Sequence, residues 1–148
     1  MRTIIIALAL CLSLSAFAQR DKIKSLKVAF ITEKLNLTEK EAQQFWPIYN
    51  AYDNTVGNLK YNEFRKVIHE IRENYATISD DKANELLNRT VEIQTEIHSE
   101  EINLIKKLRN IISAKKILGL KQAEEDFDRK MFEEWNKRRR DQNNQNNR

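Results

Sequence analysis

Along most of this chain apolar residues return every three or four positions. That spacing lines one face of an α-helix, and no segment alternates apolar with polar as a half-buried strand does. Four helices are predicted. The first spans about Asp21 to Leu35, with Ile23, Leu26, Phe30 and Leu35 on one side, and Asn36-Leu37-Thr38 ends it. The second starts at Glu39 and runs to about Tyr75. Ala42, Phe45, Tyr49, Tyr52, Val56 and Leu59 form its line, which Phe64, Ile68, Ile71 and Tyr75 resume. Pro47 removes one backbone hydrogen bond and crowds the Gln43 carbonyl, which predicts a kink, and Gly57 is a second weak point. The third helix, about Asp80 to Ile111, has two apolar lines. One is Leu86, Thr90, Ile93, Ile97, Leu104 and Leu108; the other is Leu87, Val91, Ile102 and Ile105. A stripe that wide touches more than one neighbour. The fourth helix runs to about Arg140, with Ile117, Leu120, Ala123, Phe127, Met131 and Trp135 as its stripe. Gly119 lies inside it, at a cost of about 1 kcal/mol relative to alanine.

The helix starts are marked. Thr38-Glu39-Lys40-Glu41 reads as a capping box, with Thr38 as N-cap, Glu41 reaching back, and Leu37 placed to staple to Ala42. Ser79 caps the third helix and Ser113 the fourth. Thirty-odd residues at about 1.5 Å each make the second and third helices nearly 50 Å long. The expected architecture is therefore all-α: four helices, two of them long, in an elongated antiparallel helical hairpin. Such a hairpin leaves apolar surface over, so a homodimer is the expected assembly.

The ends read differently from the body. Arg2, the uncharged apolar run Ile4 to Leu14, and Ala16-Phe17-Ala18 have the order of a secretory signal with an A-x-A cleavage site. Residues 1–18 are thus expected to be removed, leaving a chain that starts at Gln19 in the periplasm. Cys11 follows Leu10 rather than a small residue, which argues against lipidation, and after cleavage no cysteine remains. At the other end, 137–148 is basic and rich in Asn and Gln, which predicts a disordered tail after a helical domain over 19–136. From Lys137 onward there are five Lys/Arg and one Asp. Gln19 to Asn136 holds 20 Lys/Arg and 21 Asp/Glu. The body is near neutral, which excludes a basic nucleic-acid groove.

No catalytic motif is present: there is no Gly-rich phosphate loop, no GxSxG and no HExxH. The reading is a non-enzyme without a cofactor. His69 has Glu73 four residues on and His98 has Glu101 three residues on, so each pair is a metal candidate. The plainer reading is surface histidines beside surface acids, and no metal is expected. Lys106, Lys107, Arg109, Lys115 and Lys116 belong to an acid-free basic run that Glu124, Glu125, Asp126 and Asp128 follow. Its first members suit the C-terminal end of the third helix, and the whole run is a candidate docking patch. Trp46 stands off the core line next to Pro47 and is a candidate exposed binding residue.

Leu37-Thr38-Glu39-Lys40-Glu41 resembles the Leu-Thr-x-x-Gln motif of the Spy/CpxP group of periplasmic proteins, with Glu in place of Gln. A more degenerate second copy falls at Ile112-Ser113-Ala114-Lys115-Lys116. Phe45-Trp46-Pro47-Ile48-Tyr49 is similar to a branch labelled as sensors of extracytoplasmic-function sigma factors. The resemblance implies helical hairpins in cradle-shaped dimers. Some members hold unfolded clients without ATP, and some damp envelope-stress signalling. Metal-sensing members carry His-rich stretches that this chain lacks. The expected function is thus an ATP-independent chaperone or stress-signalling adaptor. Its partners would be unfolded or partly folded envelope proteins, or a membrane-bound stress regulator. The alternative is a periplasmic sensor, of a metal or ligand, that regulates an extracytoplasmic-function sigma factor system.

Overall fold

A computed structural model describes residues 22–146; the expected signal segment and its cleavage site lie outside the described residues. Among the described residues the chain is all helical, with no strand. Helix α1 spans 22–34. Helix α2 (Glu39–Asn58), a π-helical turn (Leu59–Glu63) and helix α3 (Phe64–Asn74) form one long helical segment. Helix α4 is Asp80–Leu108 and helix α5 is Ala114–Asn146. No helix among the described residues is long and apolar enough to cross a membrane.

The chain divides into two compact units, one of Glu39–Ile117 and one of Met1–Thr38 with Leu118–Arg148. In the first, α4 lies against α2, the π-turn and α3. It runs antiparallel to them, because Lys82 pairs with Glu70 while Arg89 pairs with Glu63. Ser79 caps α4, its side chain accepting from the Lys82 N–H at 3.3 Å. Leu86, Ile93, Leu104 and Leu108 are buried, as their shared line on the helix requires. Phe45 and Tyr49 are fully buried and stack with ring centroids 5.4 Å apart.

The long segment departs from α geometry at the π-turn rather than at Pro47, which α2 carries within its span. A π-turn accommodates one extra residue, so everything beyond it is rotated back by roughly one α-helical step, about 100°. The consequence is a corrected core line. Val67 is buried where Ile68 was expected, while Ile68 and Tyr75 are exposed. Leu59, Val67, Leu86 and Ile93 form one apolar cluster, with Phe64, Ile71, Ile78 and Ile97 packed on it. The extra residue brings Phe64 and Ile71 onto the same face as Leu59.

In the other unit, α1 ends in a left-handed residue, Asn36, with φ 47°. The Leu37 N–H bonds the Thr32 carbonyl and the Asn36 N–H bonds the Glu33 carbonyl, both at 3.0 Å. This is a Schellman ending in which asparagine takes the place glycine usually has. Ile31, Leu35, Leu37, Leu120, Ala123 and Phe127 are buried. Phe30 meets Phe127 at 5.7 Å and Lys34 pairs with Asp126 at 3.4 Å. Gly119 has a packing role: a Cβ there would meet Leu35 Cδ2 at 3.2 Å.

Two expectations for α5 are corrected. The helix does not stop near Arg140 but continues to Asn146, so most of the segment read as a disordered tail is helical. Lys, Arg and Gln are good helix formers, and extending an existing helix adds one hydrogen bond per residue fixed. The Arg139 guanidinium also lies over the Trp135 ring at 4.6 Å, an i,i+4 contact across one turn. The stripe, in turn, does not stay buried along its length. Phe127 is 4% exposed, Met131 is half-buried and Trp135 is 52% exposed.

Candidate functional site

The two degenerate motif copies mark helix starts. Thr38 directly precedes α2. Ser113 directly precedes α5, accepts from the Lys116 N–H at 3.3 Å, and its carbonyl accepts from the Ile117 N–H. Leu37 and Ile112, the apolar members, are both buried. The fifth positions of the two stretches pair with each other: Lys116 Nζ lies 2.7 Å from the Glu41 carboxylate, although 75 residues separate them. Both side chains are only 22–24% exposed. A charge-assisted bond of that length, partly shielded from water, fixes the start of α5 against α2. Opposite charges at equivalent positions of two motif copies are the sequence signal that points to this pair.

That pairing divides the basic run. Lys106, Lys107, Arg109 and Lys115 are exposed, but Lys116 is half-buried and engaged with Glu41. Its pair with Glu41 makes it a fold contact. Trp46 is also more enclosed than expected. It is half-buried, with its ring edge-on to Phe45 at 5.0 Å and to Tyr49 at 5.5 Å. Such edge-to-face contacts contribute about 0.5–1.5 kcal/mol each beyond area burial, so Trp46 helps to hold the aromatic cluster.

His69 and His98 are exposed on different helices, each 3.9 Å from the acid predicted beside it, Glu73 and Glu101 respectively. Among the described residues no three His, Cys, Asp or Glu side chains are placed to share a metal ion. Charge pairs line the contact of the π-turn and α3 with α4. A hydrogen bond from Lys66 and its nearby charge, joined by Arg89, hold the Glu63 carboxyl below its ordinary range. Bonds to Glu70 and then Glu85 raise the Lys82 ammonium. These are matched ion pairs on open surface.

An exposed apolar surface of this unit is the second line of α4. Leu87 and Val91 are 63% and 62% exposed, and Ile102 and Ile105 are 39% and 40% exposed. The sequence separates the two lines correctly; the structure gives a helix partner to one of them. Compared with family models, with characterised proteins and with solved structures, the chain matches none.

Proposed function

We propose that this chain is a non-enzymatic periplasmic binding protein. It holds partly unfolded envelope proteins without ATP, or acts as an adaptor toward a membrane-bound stress regulator. The observation that carries this reading is the exposed apolar line Leu87, Val91, Ile102 and Ile105 on α4, interrupted by polar Gln94, Thr95 and His98. Scattered apolar contacts on an open helix face suit chains without a fixed shape, because no single pocket geometry must be met. Exposed Lys106, Lys107 and Arg109 at the end of α4 add long-range capture of acidic segments. The resemblance to the Spy/CpxP group belongs to the same proposal. It is supported by the two motif copies at the starts of α2 and α5 and by the Glu41–Lys116 pair that links them.

The test is aggregation of an unrelated denatured client with the chain from Gln19 onward near equimolar ratio. The chain slows aggregation, and Leu87→Ser with Val91→Ser weakens the effect while the helical circular dichroism spectrum is retained. If wild type behaves like an inert control while binding an anti-sigma domain tightly, the chaperone reading fails and the regulatory one stands.

A further inference from the structure

A second exposed surface lies in the other unit and has a different chemistry. Helix α1 opens with Lys22, Lys24 and Lys27 and has no acid before Glu33. Helix α5, antiparallel to it, carries Lys130 and then Lys137-Arg138-Arg139-Arg140. Between them is a groove of about 330 Å³ whose apolar lining includes Ile23, Leu26, Phe30, Met131 and Trp135, and whose charged lining is Lys22, Lys130 and Arg138 with one acid, Glu134. The apolar surface continues onto the outside of α5, where the Phe132 ring lies 6.2 Å from that of Trp135. Ile23 and Leu26 are each 44% exposed, Phe132 61% and Trp135 52%.

Aromatic and aliphatic groups stand here among long cationic side chains. Lys130 lies over the Phe30 ring and Arg139 over the Trp135 ring, so both cations rest along apolar surface. Residues 22–34 hold four cations against Glu33, and 130–146 hold five against Glu133, Glu134 and Asp141, so a modest excess of positive charge is spread over two helices, which matches an anionic plane better than a single anionic ligand. Trp and Phe next to Lys and Arg are the residue types that settle at a bilayer's headgroup level. No described helix can cross a membrane, so the contact is with its surface.

We propose that this end of the molecule docks on the surface of an anionic phospholipid bilayer. Trp135, Phe132, Ile23 and Leu26 enter the headgroup region, and the Lys22–Lys27 and Lys137–Arg140 cations lie on lipid phosphates. The inference does not rest on client holding, which uses the α4 line of the other unit.

The test uses the chain from Gln19 onward with Trp46→Phe, so that Trp135 is the sole tryptophan. Phosphatidylglycerol–phosphatidylcholine vesicles should shift its emission to the blue and carry the protein upward on flotation. Phosphatidylcholine alone should bind at least about tenfold less, and raised salt should release the protein. Reversing Arg138, Arg139 and Arg140 to Glu should weaken flotation about tenfold or more. Phe132→Ser with Trp135→Ser should also weaken it. All these side chains are exposed, and circular dichroism checks that the helices remain. Leu87→Ser with Val91→Ser on α4 should leave flotation unchanged. Equal binding to neutral vesicles, no binding at all, or a blue shift that follows protein concentration without lipid would each overturn the proposal. The last would identify a second copy of the chain as the occupant.

Discussion

The unit Glu39–Ile117 and the unit formed by the two ends of the chain use the same helical vocabulary but distribute charge in opposite ways. The first holds 12 Lys/Arg against 13 Asp/Glu. The second, Met1–Thr38 with Leu118–Arg148, holds 14 against 9. In the first, cations are matched across helices: Lys82 to Glu70, Arg89 to Glu63, Lys116 to Glu41. In the second, one cation is matched across helices, Lys34 to Asp126, while Lys130 lies over Phe30, Arg139 lies over Trp135, and the apolar stripe becomes exposed toward the basic end. The overall charge of +4 therefore does not describe a uniformly basic protein. It describes a near-neutral unit with an open apolar line and a basic unit with an aromatic edge.

The largest effects should come from the cores. Ile93→Ala removes a fully buried side chain from the α3–α4 cluster, and Phe127→Ala removes the buried ring facing Phe30. Each should cost about 2–5 kcal/mol in thermal or denaturant unfolding. Hydrogen exchange then separates the units: Ile93→Ala should lower amide protection first in α3 and α4, Phe127→Ala first in α1 and the middle of α5. Identical protection losses throughout would show that the two compact units unfold as one.

Next comes the pair that links the motif copies. Lys116→Glu places a second carboxylate beside Glu41 and should cost about 1–2 kcal/mol, between the values for exposed and buried pairs. Adding Glu41→Lys restores opposite charges and should recover most of that loss. If the double exchange is no more stable than Lys116→Glu alone, the contact does not fix the start of α5, and the basic run regains Lys116 as a surface residue.

Much of this was legible beforehand, because helical spacing and caps are local. Ser79 and Ser113 stand where their caps were read, and the two lines of α4 separate into buried and exposed. What was not legible depends on partners distant in sequence or on small geometric changes. A π-turn has no strong residue signature, so the shift from Ile68 to Val67 was invisible. The line from Phe127 to Trp135 is uniform in sequence, yet its last member lacks enough apolar cover. Trp46 is off the core line by spacing, but an indole is large enough to reach two neighbouring rings from there.

The two helical glycines sharpen the comparison at a smaller scale. Gly57 has nothing within 4 Å of an added Cβ, so Gly57→Ala should stabilise the neutral unit by about 0.5–1 kcal/mol through helix propensity alone. Gly119→Ala has the same propensity gain, but its methyl meets Leu35 at 3.2 Å. Melting curves should show a gain for Gly57→Ala and little or none for Gly119→Ala. An equal gain at both would mean that Leu35 yields freely and that α5 does not need a glycine there.

The smallest effect concerns the matched charges of the α3–α4 contact. Glu63 accepts from Lys66 at 2.9 Å and from Arg89 at 3.4 Å, and its folded-state pKa lies below the ordinary 4.5. A carboxyl depressed by folding contributes stability that is present above its unfolded pKa and lost as pH falls through the folded value. Melting temperature followed downward from pH 6 should therefore include a loss that starts near pH 4.5 and continues below it, and Glu63→Gln should reduce that loss. The side chain is open enough to solvent that salt weakens the effect, so wild type and Glu63→Gln should converge as salt is raised. Local exchange rates in α3 and the facing part of α4 should report the change most clearly, because Arg89 and Lys66 lie there. If Glu63→Gln leaves the acid limb of the curve unaltered at low salt, the interhelical charge matching of this unit contributes solubility rather than stability, and its contrast with the basic unit is one of surface chemistry alone.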